Sequence, residues 1–181
     1  MERRGENMTA SKPIARDLVI PLDKFPHLQE TDTLHDAVKT LLSFTCGESE
    51  RLLYSELFVL NDQQQLVGRV ALQDMLKTLD KRLVEIPKVE RFEGKGGEYS
   101  NLAILWEESF FLECAKKKGT PLKIIMNPVN RVAKEDDSLV KVLSMLLHGD
   151  ELVLPVINDA SVTGFIRLEE IFKAVCGYCK L

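Results

Sequence analysis

The chain has 181 residues, 45% apolar and 29% charged, with a net charge of −4. These are ordinary proportions for a globular protein, long enough for one domain or two small ones that bury about 70% of the unfolded surface. The negative balance and the lack of a Lys/Arg block exclude generic binding to duplex nucleic acid, which needs many cations to displace counterions.

No apolar run approaches the length of a membrane span. The opening MERRGENMTASKP is polar and has no secretory signal pattern. The expectation is therefore a cytoplasmic protein, whose four cysteines (Cys46, Cys114, Cys176, Cys179) stay mostly reduced.

In chain order, VIPLDKFPHLQ at 19–29 carries Pro21 and Pro26, which forbid continuous helix and predict extended backbone. TDTLHDAVKTLLS follows at 31–43. Leu34, Ala37, Val38, Leu41 and Leu42 fall at i, i+3, i+4, i+7 and i+8, one face of a helix. Thr33 suits the N-cap, and Asp36 three residues on completes a capping-box start. ELFVLN (56–61) and LVGRVA (66–71) flank the polar turn DQQQ and predict a hairpin. A helix begins directly after it, with Leu72, Met75, Leu76 and Leu79 as its apolar stripe.

The next stretch, DKRLVEIPKVERFEGKGGEY at 80–99, is charged and Gly-rich and predicts an exposed linker. Its EGKGG lacks the spacing of a phosphate loop. Residues 100–121 predict a helix that Ser100 caps, that Lys116–Lys118 suit at the C-terminal end, and that Gly119 and Pro121 terminate. Leu102, Leu105, Trp106, Phe110, Phe111 and Leu112 cover more than one stripe of it, so it is either buried on several sides or meets a second subunit.

The first pattern then recurs. IIMNPVNRVAK (124–134) is again an extended lead-in, interrupted by Pro128. In DDSLVKVLSMLLH (136–148), Leu139, Val142, Leu143, Leu146 and Leu147 take the same five helical slots, with Ser138 as cap. LVLPVIN and VTGFI flank DAS as a second hairpin, and Leu168, Ile171, Phe172 and Val175 repeat the closing stripe. Each half reads as strand, helix, strand, strand, helix. About 60 residues bury too little surface to be comfortable alone. The expected solution is an α/β (α+β) pair of β-α-β-β-α repeats, packed sheet to sheet with pseudo-twofold symmetry, plus an inter-repeat helix.

The duplicated unit resembles a pair of cystathionine β-synthase (CBS) domains, also called a Bateman module. The resemblance covers 14–80 as the first repeat and 119–177 as the second, with 81–118 as linker and connecting helix. It rests on Leu154-Pro155-Val156-Ile157-Asn158-Asp159 for the strand motif, on Val67-Gly68 with Asp74 for the strand-to-helix motif, and on LKIIMNPV at 122–129 for the opening. It implies regulatory binding of AMP, ADP, ATP or S-adenosylmethionine in clefts between the repeats. A carboxylate would accept from both ribose hydroxyls, a Ser/Thr hydroxyl would assist, and strand residues would enclose the adenine.

Carried onto this sequence, the resemblance implies Gly68, Arg69, Ala71, Asp74 and Phe58 at a first site, and Gly164, Arg167, Glu170 and Pro155 at a second. Both sites depart from the family pattern. Ala71 stands where a Ser/Thr is expected, a loss of about 0.5–1.5 kcal/mol for one neutral hydrogen bond. In the second copy Arg167 replaces the hydroxyl residue and Glu170 replaces the Asp. Arg167 either neutralises Glu170 and closes the cleft, or meets a ligand phosphate bidentately. Purely structural explanations stand beside these. Asp74 and Glu169-Glu170 suit helix starts, Gly68 and Gly164 suit close sheet contact, and Arg69 and Arg167 suit solvated strand edges.

Three function classes follow. The first is a sensor that needs no cofactor, binds an adenosyl ligand, and signals to a separate effector protein through a conformational or dimer change. The second is a ligand-free scaffold or homodimerisation module with degenerate sites. The third, an enzyme, is disfavoured: His27, His35 and His148 are scattered, and no nucleophile, base or metal-ligand constellation is recognisable. CGYC at 176–179 has redox or zinc spacing but no second ligand pair.

Overall fold

The computed structural model describes residues 12–48, 50–80, 107–149, 151–159 and 161–180. Among them the elements run β1 (Ile20–Pro21), β2 (His27–Gln29), α1 (Leu34–Ser43), β3 (Thr45–Cys46), β4 (Arg51–Leu52), β5 (Glu56–Leu60), β6 (Leu66–Ala71), α2 (Leu72–Leu79), α3 (Glu107–Lys116), α4 (Leu122–Ile125), β7 (Ala133–Lys134), α5 (Leu139–Leu147), β8 (Val153–Asn158), β9 (Ser161–Arg167) and α6 (Leu168–Cys179). The architecture is α+β, and the described residues fall into two compact units, one within Pro26–Val129 and the other within Met1–Phe25 and Asn130–Leu181.

The 26–129 unit holds a three-stranded sheet in the order β2-β5-β6, with a small β3-β4 hairpin beside it. Helix α1 starts where the sequence predicts. Thr33 Oγ1 accepts from the Asp36 N–H at 3.4 Å and Asp36 Oδ2 accepts from the Thr33 N–H at 3.0 Å, so two otherwise orphaned donors are satisfied reciprocally. Leu34, Ala37 and Leu41 of α1 and Met75 of α2 pack onto Leu57, Val59 and Val70 of the hairpin, with Leu122 from α4.

The other unit repeats this plan with a four-stranded sheet, β1-β9-β8-β7. Ser138 Oγ caps α5 by accepting from the Lys141 N–H at 3.3 Å. Leu139, Val142 and Leu146 of α5 and Ile171 of α6 pack onto Leu154, Val156 and Ile166, with Ala15 and Ala133. The two hairpins match in register. Val59 faces Gly68 and Val156 faces Gly164, and each ladder is irregular at the next step along the first strand.

A feature that sequence patterning does not reveal is where the extended lead-ins go. The segment ahead of the first helix closes the other unit: Ile20 pairs with Phe165 and Pro21 with Gly164. The segment ahead of the second helix closes the 26–129 unit, where Arg69 and Asn127 exchange both backbone hydrogen bonds at 2.9 Å. The first helical turns follow suit. The Leu34 N–H donates to the Thr120 carbonyl at 2.8 Å, and the Leu139 N–H donates to the Pro13 carbonyl at 3.2 Å.

At each crossing a glycine makes room. A Cβ on Gly164 would lie 2.2 Å from the Ile20 carbonyl oxygen, and one on Gly68 would lie 2.7 Å from Met126 Sδ. The purely structural explanation of both glycines is therefore sufficient in this fold.

The connecting helix is shorter at its described end than its sequence suggests. Helix α3 stops at Lys116, and the chain turns there through Lys117 N–H to Cys114 O (3.1 Å) and Thr120 N–H to Lys117 O (3.0 Å). Ser100, Leu102, Leu105, Trp106 and the linker at 81–99 lie outside the described residues. No helix among the described residues is long and apolar enough to cross a membrane.

The glycine crossings make an ordered prediction. Gly164→Ala forces a backbone carbonyl to move and is expected to destabilise by about 1–3 kcal/mol. Gly68→Ala, opposed by a flexible methionine, is expected to cost clearly less. Urea midpoints of the two variants check this, and equal midpoints contradict it.

Candidate functional site

In the first repeat the strand β6 passes into α2 without a loop, and Ala71 is both the last strand residue and the N-cap. Ala71 has no side-chain oxygen, so only the reverse half of a capping box exists. Asp74, at the third helical position, turns back and accepts from the Ala71 N–H through Oδ2 at 2.9 Å. Its other oxygen, Oδ1, takes no hydrogen bond among the described residues. The junction thus presents a half-exposed carboxylate, oriented by the helix start and with one acceptor oxygen open.

The same two slots of the second repeat are filled differently. Arg167 closes β9 and is the N-cap of α6, and Glu170 occupies the third helical position. Arg167 grips Glu170 bidentately, with Nε to Oε2 at 2.8 Å and Nη2 to Oε1 at 2.6 Å. Their side chains are only 20% and 18% exposed, so solvent screens this pair weakly. Burial pushes the Glu170 carboxyl up, but the hydrogen bonds and charge of Arg167 outweigh it and hold the group below the usual glutamate range. Of the two roles open to Arg167 in the sequence, neutralisation of Glu170 is the arrangement observed.

Arg69 is not a solvated edge charge either. Its Nη1 lies 3.2 Å from Glu56 Oε2, in a pair whose carboxylate is nearly buried, and Arg69 Nε is buried with no hydrogen-bond acceptor among the described residues. Phe58 lies opposite Arg69 in the ladder and is fully buried. Pro155 is buried opposite Phe165, whose ring packs at a tilt against Phe25 with centroids 4.5 Å apart. The structure thus gathers Gly68, Arg69, Ala71, Asp74 and Phe58 on one hairpin-helix junction and Gly164, Arg167, Glu170 and Pro155 on the other.

Sequence reasoning missed Glu56, whose pairing joins residues thirteen positions apart. It also missed a hollow of ≈ 530 Å³ in the second unit, lined by Arg16, Lys134, Glu135, Asp136, Asn158 and Asp159 among others. These come from three separate segments, and no local pattern marks them. Two of its groups already meet a third, since Arg16 Nη2 and Asn158 Nδ2 both approach Glu135 Oε2, at 3.5 and 3.0 Å.

The remaining chemistry-bearing residues are dispersed. His27 lies in β2, His35 on α1, and His148 closes α5 with Nδ1 2.8 Å from the Ser144 carbonyl. No group of three His, Cys, Asp or Glu residues able to hold a metal occurs among the described residues. Cys176 and Cys179 lie on the last turns of α6 as free thiols.

Comparison with known proteins fits this geometry. Residues 15–81 match the family model of the CBS domain. Comparison with curated proteins finds no match. Among solved structures, the chain is similar to a CBS domain-containing protein from Kribbella flavida, with a TM-score of 0.66 at 16% identity over 90% of this chain and 97% of that one. It is similar to CBSX2 in complex with AMP, with a TM-score of 0.59 at 19% identity over 91% and 97%. It is also similar to the cytosolic domain of the Mg2+ channel MgtE in complex with ATP, with a TM-score of 0.56 at 15% identity over 88% and 48%. Residues 15–81 match the CBS domain, and the chain as a whole shares the fold of the CBS-pair structures it is similar to.

The Arg167–Glu170 pair predicts a specific pH dependence. Its carboxylate has a folded-state pKa below the ordinary 4.5, so the stability it contributes is complete above that value and is lost as pH falls through the lowered one. The difference in unfolding free energy between wild type and Glu170→Gln is expected to be full at neutral pH and to vanish in acid. Denaturant titrations across that range check it, and a pH-independent difference contradicts it.

Proposed function

We propose that this chain is a regulatory module that binds an adenosine-containing ligand, an adenine nucleotide or S-adenosylmethionine, with Asp74 as the acceptor for the ribose hydroxyls. The observation that carries this is the β6–α2 junction, where a carboxylate is held by its own helix start and keeps Oδ1 open. A cis diol offers two O–H donors, and a fixed carboxylate receives them as charge-assisted hydrogen bonds without reorganising. Gly68 and Phe58 shape the strand side of the site, Arg69 is steadied by Glu56, and Ala71 leaves space where a hydroxyl would stand. The solved neighbours that carry AMP and ATP support the same ligand class.

In this proposal the chain is not an enzyme and needs no cofactor. It works in the cytoplasm and passes the signal to a separate effector protein. Ligand binding shifts the module between states only through a difference in affinity for them.

Isothermal titration with AMP, ADP, ATP and S-adenosylmethionine tests the proposal. At least one of them is expected to bind, and Asp74→Ala is expected to weaken it about tenfold to hundredfold through loss of a charged acceptor. Folded protein that gives no heat at millimolar ligand contradicts the proposal.

A second element of the proposal is self-association, motivated by the helices. Leu42 and Leu76 of the first repeat occupy the same slots as Leu147 and Phe172 of the second, and all four are between 55% and 66% exposed. Solvent-facing positions that stay large and apolar in both copies suit a contact with a second copy better than hydration. Phe111 and Leu112 of α3 are exposed as well. Leu147→Glu combined with Phe172→Glu is expected to give a monomer in sedimentation velocity where the wild type is a dimer. An unchanged oligomer contradicts this face as the interface.

A further inference from the structure

The two strand-to-helix junctions correspond position for position, yet only one has an open acceptor. In the first repeat the N-cap slot holds Ala71, which ends at Cβ, and Asp74 Oδ1 is open. In the second repeat the N-cap slot holds Arg167, and both carboxylate oxygens of Glu170 are taken by its guanidinium at 2.8 and 2.6 Å. A guanidinium edge offers two parallel N–H donors to a carboxylate, and a ribose offers two neighbouring O–H donors. The two groups compete for the same pair of oxygens.

We infer that Arg167 is a built-in occupant of the second carboxylate slot, so that the chain takes one adenosyl ligand, at Asp74, and none at Glu170. Three features of the site favour the internal occupant. The guanidinium is charged and a diol is neutral, so the resident bonds are the stronger ones. Arg167 is tethered three residues from its partner and loses no translational freedom on pairing. Both side chains are four-fifths shielded from water, so salt and solvent compete poorly with the pair. The extra methylene of Glu170 compared with Asp74 gives the reach that a bidentate pair at this spacing uses.

The consequence is functional asymmetry. Two repeats with one backbone plan carry different duties: the first is the ligand-binding copy, and the second is held in a permanently satisfied state by its own side chains. The inference rests on the reading of Asp74 as the ribose acceptor, and the experiment below separates the two.

Isothermal titration with AMP and ATP is performed on the full chain as wild type, Asp74→Ala, Glu170→Gln, Arg167→Ala, and Arg167→Ser combined with Glu170→Asp, each checked for folding by circular dichroism. The inference expects one ligand per chain for wild type, unchanged affinity for Glu170→Gln, and two ligands per chain once Arg167 is replaced in the double variant. If the double variant does not fold, Arg167→Ala alone gives the gain in stoichiometry. Two ligands on the wild type, one of them lost in Glu170→Gln, overturn the inference and leave the proposed function standing. No binding to wild type, with one ligand gained on replacing Arg167, overturns Asp74 as the acceptor and keeps the occupied second slot. No gain in any folded Arg167 variant overturns the inference.

Discussion

The structure depends on chain from the far half of the sequence crossing each hairpin at a residue without a side chain. In one unit the Ile20 carbonyl occupies the space a Cβ of residue 164 would need, and in the other Met126 lies over Gly68. These crossings join each hairpin to a lead-in from the far side of the sequence. They also complete the hydrogen bonding of the first helical turns through Thr120 and Pro13. Each unit therefore needs chain from both halves, and the duplication works as an exchange rather than as two beads on a string. A 60-residue repeat with a modest core gains a further strand or bridge at little loop cost.

That frame fixes the junctions where function is placed. Because strand passes into helix with no loop, the N-cap and third helical residue have no freedom to drift, and whatever side chains stand there meet. With alanine and aspartate the result is an oriented carboxylate. With arginine and glutamate it is a closed ion pair that holds the acid below the usual glutamate range. The same backbone geometry yields an open acceptor or an occupied one according to two residues.

Much of this was legible in the sequence because it is local. Thr33 with Asp36 is read from three-residue spacing, Ser138 from its place ahead of the second helix, and the helical stripes from 3.6-residue periodicity. Of the five positions read as one apolar face in each helix, Leu34, Ala37 and Leu41 and their counterparts Leu139, Val142 and Leu146 are buried, whereas Val38, Leu42 and Leu147 are exposed. The exchange of the lead-ins was not legible, since Pro13, Thr120 and Asn127 carry no local mark of a partner many residues away. The single helical turn of α4 after Pro121 and the small β3-β4 hairpin around Gly47, at φ +69°, also lie below the reach of periodicity. At the site, the arginine beside Glu170 was visible, but its choice between carboxylate and ligand depends on rotamers that spacing does not determine. Glu56 is found only through the cross-strand register that brings it near Arg69.

The most direct test of the central claim is a crystal structure of the chain grown with AMP. Ribose hydroxyls are expected within hydrogen-bond distance of the Asp74 carboxylate, with Arg167 still bidentate on Glu170. A ribose seated on Glu170 with Arg167 swung away, or a nucleotide bound with no contact to Asp74, would contradict it.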